Sequence, residues 1–484
     1  MATTMQSAER QLIFIPGPGM GHIVAAVEVA KLILNRESRL SITFLLIKDS
    51  QVDQYIHSLQ ISANQRLRFI NLPEVELEPG SSTKLPPLLA SQHINRHKPL
   101  VREALLAITK SEETRVAGFI IDMFCINMID VANDFKIPSY LFFTSSSAFL
   151  SMWLFFQSLT DDHGEDITEF KNSDKEFLIP GFVNPVPAKV MPSMMLDKNG
   201  GSELVVSSAR RIRETRGVFI NTFQELESTA IKDLSDSSGK IPPIYPIGPI
   251  INLNTESENP DSIISWLDKQ PSSSVLFLCF GSQGSFIEAQ IKHLATALES
   301  SGRRFLWSLR WRKPDKKAAE TTDSTSPDEI LPKGFLKRTS GIGKVIGWAS
   351  QVAVLAHPAI GGFVSHCGWN SILESLWFGV PTAAWPLAAE QQANAFQMVV
   401  EMGMAIEIKM DYRNDINDEI VVGAGEIERA IDRLMADEDA DGMKKKVKDM
   451  REKSSRALME GGSSYRFLGC LIHDIMHNTM PQGS

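Results

Sequence analysis

At 484 residues the chain is too long for one hydrophobic core, and two domains of about 200 residues each are expected. Hydrophobic residues make up 43% and charged residues 22%, an ordinary globular balance, and 58 acidic against 49 basic residues give a net charge of −9. With no basic block, that charge argues against nucleic acid or an anionic membrane as partner. Cys125, Cys279, Cys367 and Cys470 lie far apart, with no CxxC pair and no His/Cys cluster. Buried free thiols in a reducing compartment fit better than a disulfide scaffold or a zinc site. Residues 1–10 lack the apolar core of a secretory signal. The longest apolar stretch, 137–156, is broken by Ser139, Ser151 and the run Thr144-Ser145-Ser146-Ser147, and reads as a strand entering a core helix rather than a membrane span. A cytoplasmic, monomeric protein is expected.

Residues 11–15 form a short apolar strand ending at Pro16, followed by the glycine-rich turn Gly17-Pro18-Gly19-Met20-Gly21-His22. Ile23, Val27, Ala30 and Leu34 then fall on one face of an amphipathic helix. Strands at 40–47 and 67–72 complete a parallel βαβ opening. A helix over 91–109 precedes a buried strand, 118–122, that ends in Asp122. Another strand, 138–143, runs into the Thr/Ser turn 144–147, which can cap a helix through Phe156. Residues 161–201 are polar and punctuated by Pro and Gly, the composition of a surface loop over a cleft. Strands at 217–221 and 244–247 close the first domain.

Residues 248–261 have linker composition. A second α/β domain follows, with strands at 275–280, 304–309, 344–347, 361–365 and 381–385 and a helix over 289–300. Residues 312–329 are charged and Ser/Thr/Pro-rich, a mobile loop. From Gly423 the tail is helical, with Gly461-Gly462 as a joint before a final helix. The predicted organisation is a first domain over 1–248, a linker over 249–261, a second domain over 262–462, and a terminal helix over 463–484 packing back on the first domain. Both domains are doubly wound and face each other across a cleft.

His22 sits where a strand hands over to a helix, and the partial positive charge of a helix start is expected to keep its ring neutral. A neutral histidine at the mouth of a parallel sheet suits general-base work, although a capping or packing role fits the same position. The Gly17/Gly19/Gly21 spacing is not GxGxxG, so the dinucleotide fingerprint fails. Asp122 ends a strand parallel to the first, and both residues should project at the same sheet edge. There an aspartate either orients the imidazole, as in a triad, or caps the next helix. Ser282, after the strand 275–280, offers a hydroxyl and an N–H to a phosphate, or simply marks a tight turn. Residues 348–391 hold four tryptophans, a strand, a His366-Cys367-Gly368 corner and a helix start at Asn370-Ser371. Backbone N–H groups at such a corner make an anion site. Trp348 offers a flat face to a base, Gln351 can bond its edge, and Glu374, one turn beyond Asn370, can bind ribose hydroxyls.

Residues 348–391 closely resemble the 44-residue signature of the plant UDP-dependent glycosyltransferases. The resemblance extends over nearly the whole chain, through GHIVAAVEVAK, IDMFCINMIDVANDF, IPSYLFFTSS, GVFINTFQELE, PPIYPIGP and VLFLCFGSQGSF. It implies the GT-B fold, two facing Rossmann-like domains, with the acceptor held mainly by the first and UDP-glucose mainly by the second. Carried onto this sequence, Trp348 would stack on uracil beside Ala349 and Gln351. His366, Asn370, Ser371 and Ser282 would hold the diphosphate and Glu374 the ribose. Trp369, Glu390, Gln391 and Thr144 would touch the sugar, with Gln391 resembling glucose users. His22 and Asp122 match the family's catalytic pair, which implies a single inverting displacement at C1 of glucose. The acceptor would be the hydroxyl of a small hydrophobic molecule such as a flavonoid, another phenolic or a terpenoid. UDP would leave into the positive field of His366 and the helix start, with no metal. Two positions depart from the family pattern: Ser350 replaces a usual Pro, which should loosen the turn after Trp348, and Ala388 replaces a bulkier residue. Ala388 and Ala389 would then border a roomier acceptor pocket. The competing readings are a non-catalytic UDP-sugar-binding protein and a GT-B-fold sugar-nucleotide epimerase or hydrolase.

Overall fold

A computed structural model describes residues 9–48, 53–62, 65–75, 86–110, 114–237, 241–253, 260–282, 284–311, 327–413, 420–438 and 442–477. Most of the expected loop at 312–329 therefore lies outside the described residues.

The first sheet has seven parallel strands. In chain order they are β1 (Glu9–Ile15), β2 (Leu40–Leu46), β3 (Leu67–Asn71), β4 (Thr114–Asp122), β5 (Ser139–Phe143), β8 (Val218–Ile220) and β9 (Ile244–Pro246). Between β5 and β8 a two-residue antiparallel pair, β6 (Glu176–Phe177) and β7 (Val186–Pro187), stands apart from the sheet. The spatial order is β3-β2-β1-β4-β5-β8-β9. β2 is buried at every position, as a strand covered by helices on both faces must be. Alternation along β1 shows the two faces: Ile13 and Ile15 pack into one apolar cluster, Leu12 and Phe14 into the other.

The second sheet has six parallel strands, β10 (Val275–Cys279), β11 (Arg304–Ser308), β12 (Gly343–Ile346), β13 (Ile360–Ser365), β14 (Thr382–Ala384) and β15 (Ala405–Glu407), ordered β12-β11-β10-β13-β14-β15. In both sheets the strand order reverses direction once, between β1 and β4 and between β10 and β13. Crossovers leave to opposite sides at such a point and open a crevice beyond the strand ends, where ligands of open parallel sheets bind. The final helix, Ser463–His477, lays Leu468, Leu471, Ile472 and Ile475 into the cluster beneath the first sheet, and the Tyr245 hydroxyl bonds Asp474.

Several local expectations change. The helix expected over 91–109 is two, Pro86–Arg96 and Lys98–Thr109, because Pro99 lies in the first turn of the second, where a missing N–H costs nothing. Residues 161–201 are not merely a surface loop. They carry short 3-10 turns, bury Ile179, Val190, Met191, Met195 and Leu196, and cross to the second domain. There Glu401 accepts from the backbone N–H of Val183 (2.7 Å) and Asn184 (2.9 Å), and Arg413 donates to the carbonyls of Lys189 and Met191. All four cysteines are free, but only Cys125 and Cys367 are buried, Cys279 is partly so and Cys470 is exposed. Among the described residues no helix is long and apolar enough to cross a membrane.

Candidate active site

The reversal point of the first sheet carries His22 and Asp122. β1 ends at Ile15, the turn brings His22 into the first turn of the helix Met20–Arg36, and β4 ends on Asp122. His22 Nδ1 lies 2.8 Å from Asp122 Oδ2, while Asp122 Oδ1 accepts from the Phe124 N–H at 2.9 Å. Asp122 thus serves both readings left open by spacing, capping its own turn with one oxygen and orienting the imidazole with the other. The carboxylate is 2% exposed and the imidazole 23%, so the pair is buried on the aspartate side and open on the histidine side. Donation from Nδ1–H to Asp122 leaves the Nε2 lone pair for a substrate proton. Gly17 makes the pairing possible: a Cβ there would stand 2.5 Å from Asp122 Oδ1.

Burial disfavours a charged His22 ring, yet the charge and hydrogen bond of Asp122, helped by Glu390 from the second domain, raise its pKa above the ordinary value. The helix start does not by itself hold the ring neutral, contrary to the reading from position alone, because Asp122 bonds the ring at 2.8 Å and its influence outweighs burial. Thr144, expected at the donor sugar, sets its hydroxyl 2.9 Å from the same Nδ1. The Phe124 ring covers one side of the imidazole, centroids 4.8 Å apart.

The second sheet supplies the opposite edge. Ser282 follows β10, with its carbonyl held by Arg310. His366 follows β13 and is wedged between glycines: a Cβ on Gly281 or on Gly368 would come within 2.6 Å of His366 Nε2. Burial lowers its pKa to about 4, which opposes the positive charge expected of His366. What remains at the corner is the start of the helix Trp369–Phe378, whose first N–H groups point out of the helix and whose cap, Gly368, offers no side-chain bond.

Two residues of that start are differently placed from expectation. The Trp369 indole is buried and donates to the Asn221 carbonyl at 2.6 Å, which removes its side chain from the sugar. The Asn370 amide donates to the Gly21 carbonyl at 3.1 Å, so the side chain spans the cleft rather than facing a phosphate. For both, the backbone N–H is the group left for an anion.

Trp348 is 62% exposed, an open flat face beside Ala349. Ser350 does not loosen the turn: it adopts φ −66°, close to the value proline imposes, and its hydroxyl caps the helix Gln351–Leu355. Gln351 donates to Ser371 Oγ (2.8 Å) and Glu374 Oε2 (2.7 Å), which fixes the carboxylate. Burial raises the Glu374 pKa to about 7 against the opposing bond from Gln351. Glu390 is pushed up by burial and pulled back by, among others, His22 across the cleft. Gln391 turns its side-chain oxygen back onto the Leu387 and Ala388 N–H groups (2.9 and 3.0 Å), leaving its amide nitrogen for a ligand. Ala388 and Ala389 are exposed at the rim, Ala389 in the left-handed region (φ 57°).

Sequence reasoning passed over Asn221 and Glu227. Both are buried in the segment after β8 and bond residues far along the chain, so no local pattern marks them. Glu227 accepts from the Ser147 and Ala148 N–H groups and from Gln397 of the second domain.

Two doubly wound domains that turn their reversal points toward one cleft, one with a histidine–aspartate pair and the other with a helix start free of side-chain caps, have the GT-B architecture of nucleotide-sugar transferases. Residues 240–420 match the family model described as UDP-glucoronosyl and UDP-glucosyl transferase. UDP-glycosyltransferase 71A15 of Malus domestica is 50% identical over 96% of this chain and 99% of its own. UDP-glycosyltransferase 71E1 of Stevia rebaudiana is 48% identical over 97% and 99%. Among solved structures, a ugt transferase from Siraitia grosvenorii in complex with UDP superposes with a TM-score of 0.88 at 44% identity, covering 96% of this chain and 100% of that one. UGT71G1 of Medicago truncatula, complexed with UDP-glucose, gives 0.86 at 42% identity, covering 96% and 98%. The chain belongs to the plant UDP-glycosyltransferases.

Proposed function

We propose that the protein is an inverting UDP-glucose-dependent O-glucosyltransferase of small hydrophobic acceptors, with His22 as general base and Asp122 as its partner. The observation that carries this reading is the 2.8 Å His22–Asp122 contact at the end of the first sheet, one residue from Gly21, whose carbonyl is bonded by Asn370 of the second domain's helix start at 3.1 Å. His22 Nε2 takes the proton of an acceptor hydroxyl as its oxygen attacks C1 of glucose from the face opposite UDP. The C1–O bond to the diphosphate breaks, the electron pair leaves with UDP, and Asp122 stabilises the imidazolium. The negative charge on UDP is met by the backbone N–H groups of Trp369–Phe378 and by neutral donors at Ser282 and His366. Trp348, Ala349 and Gln351 bind uracil, Ser371 lies toward the diphosphate, Glu374 takes the ribose hydroxyls, and Glu390 and Gln391 take the sugar hydroxyls.

A UDP-glucose complex in a relative 42% identical supports the donor. A relative from Fragaria ananassa, 49% identical, is named for flavonoid 3-O-glucosylation and supports the acceptor class. Incubating the protein with UDP-glucose and a mixed library of phenols, flavonoids and terpenoids, read by mass shift, should give hexosides. Loss of UDP-glucose with no hexoside on any acceptor would favour the hydrolase reading instead.

Two further results are expected at this site. Ribose hydroxyls donate to an ionised Glu374, so bound donor favours deprotonation of a group that titrates at about 7. UDP-glucose, whose diphosphate diester does not titrate near neutrality, should therefore bind more tightly at pH 8 than at pH 6 by calorimetry. Glu374→Gln should flatten that dependence, and an unchanged slope in the variant would remove Glu374 from the ribose. Ala388→Tyr, at the exposed rim, should narrow the acceptor range while leaving UDP affinity in place; an unchanged product profile across the library would refute the roomier pocket.

A further inference from the structure

The junction between the two domains runs through one buried side chain. Asn221 follows β8 and is 0% exposed. Its Oδ1 accepts from the Ile250 N–H at 2.7 Å, at the start of the segment that leads to the second domain. Its Nδ2 faces the Ile250 carbonyl and Asn370 Oδ1, each at 3.4 Å. Its backbone carbonyl receives the Trp369 indole N–H at 2.6 Å. Asn370 in turn donates to the carbonyl of Gly21, the residue before His22, at 3.1 Å. A continuous chain of bonds therefore runs from the interdomain segment, through Asn221, to the first two residues of the anion-binding helix and on to the catalytic turn. The surroundings are cut to fit it: a Cβ on Gly248 would stand 2.7 Å from Asn221 Oδ1, and one on Gly21 would stand 3.2 Å from Asn370 Nδ2.

Resting on the function proposed above, we infer that Asn221 is a positioning residue that sets the distance between His22 and the donor sugar. The geometry needs a side chain with an acceptor and a donor on one planar group. Aspartate keeps the bond from Ile250 but presents a second acceptor to Asn370 Oδ1. If Asn370 reorients to satisfy it, the bond to Gly21 is lost. Either way the helix start and the base lose their common anchor. Base and sugar must meet at about 3–3.5 Å, and a displacement of about 1 Å costs about 100-fold in rate. UDP binding, made within the second domain, does not depend on that distance.

The test compares native protein with Asn221→Asp and with Trp369→Phe, which deletes the indole donor to Asn221 while keeping an aromatic ring in the buried cluster and both backbone N–H groups of the helix start, and serves if the first variant does not fold. UDP affinity is read by calorimetry, kcat at saturating UDP-glucose and acceptor, and the share of UDP-glucose lost to water from the ratio of free glucose to glucoside. Both variants should bind UDP within about threefold of native, lose about 10–100-fold in kcat, and divert a larger share of donor to water as the gap admits it. Native kcat and partition in a folded variant would overturn the inference. So would a parallel loss of UDP affinity and kcat with the partition unchanged, the mark of a general folding defect. Absence of glucosyl transfer by the native protein itself would instead overturn the function on which the inference rests.

Discussion

On the proposed function, His22→Ala should lower glucosyl transfer by about 10²–10⁴-fold while UDP-glucose still binds, because a positioned general base contributes roughly that factor and the donor would be held from the other domain. The structure gives the reason for so large an effect. Among the described residues the groups bonded to or packed on His22 are Asp122, the Thr144 hydroxyl and the Phe124 ring, while Glu390 acts on it by charge from the second domain, and none of these puts a second imidazole in place of Nε2. Asp122 is enclosed and committed to His22 and to Phe124, so it does not reach an acceptor directly. Steady-state kinetics together with donor calorimetry check this. A variant with native turnover would remove His22 from the chemistry, and one that failed to bind donor would show that the two halves of the site are not separable.

Asp122→Asn should cost a comparable factor by a different route. The substituted amide keeps the shape of the carboxylate but loses its charge, and where its nitrogen faces Nδ1 it turns the imidazole to the wrong tautomer. It also reverses the electrostatics. In the native site, burial opposes protonation of His22, and Asp122 and Glu390 outweigh it, so the pKa stands above its ordinary value. A base works only when unprotonated, so native activity should fall as pH drops through that raised value. Without the carboxylate charge, burial dominates, the pKa falls, and the acid limb should move to lower pH even as the maximum rate drops. A pH profile of kcat/KM for both proteins reads the two effects at once. A limb that stayed in place would mean that Asp122 does not set the proton affinity of His22.

Much of the architecture is legible in the sequence because its signals are local. The helix face of Ile23, Val27, Ala30 and Leu34, and a β2 that is apolar apart from Ser41 and Thr43, identify a covered parallel sheet without knowledge of neighbours. Strand ends then bring His22 and Asp122 together, since parallel strands deliver their last residues to one edge. β15 escaped because three residues, Ala405–Glu407, are too few to show a period. The segment 161–201 misled because its buried residues answer to two domains at once and follow neither helix nor strand spacing. The departures at the site have one cause. Trp369, Asn370 and Asn221 meet only when the domains do, with partners 148 and 149 residues apart, and composition near each gives no hint of it. His366 misled differently: its place at a strand end suggests a cation, and only the packing of Gly281 and Gly368 against its ring shows why burial lowers its pKa.

The anomeric configuration of the product tests the central claim most directly. UDP-glucose carries an α-linked sugar, and one displacement driven by a base on the opposite face must give a β-glucoside. Proton NMR of the glucoside formed from a simple phenol should show the β-anomer alone. An α-glucoside would contradict a single attack by an acceptor oxygen deprotonated at His22.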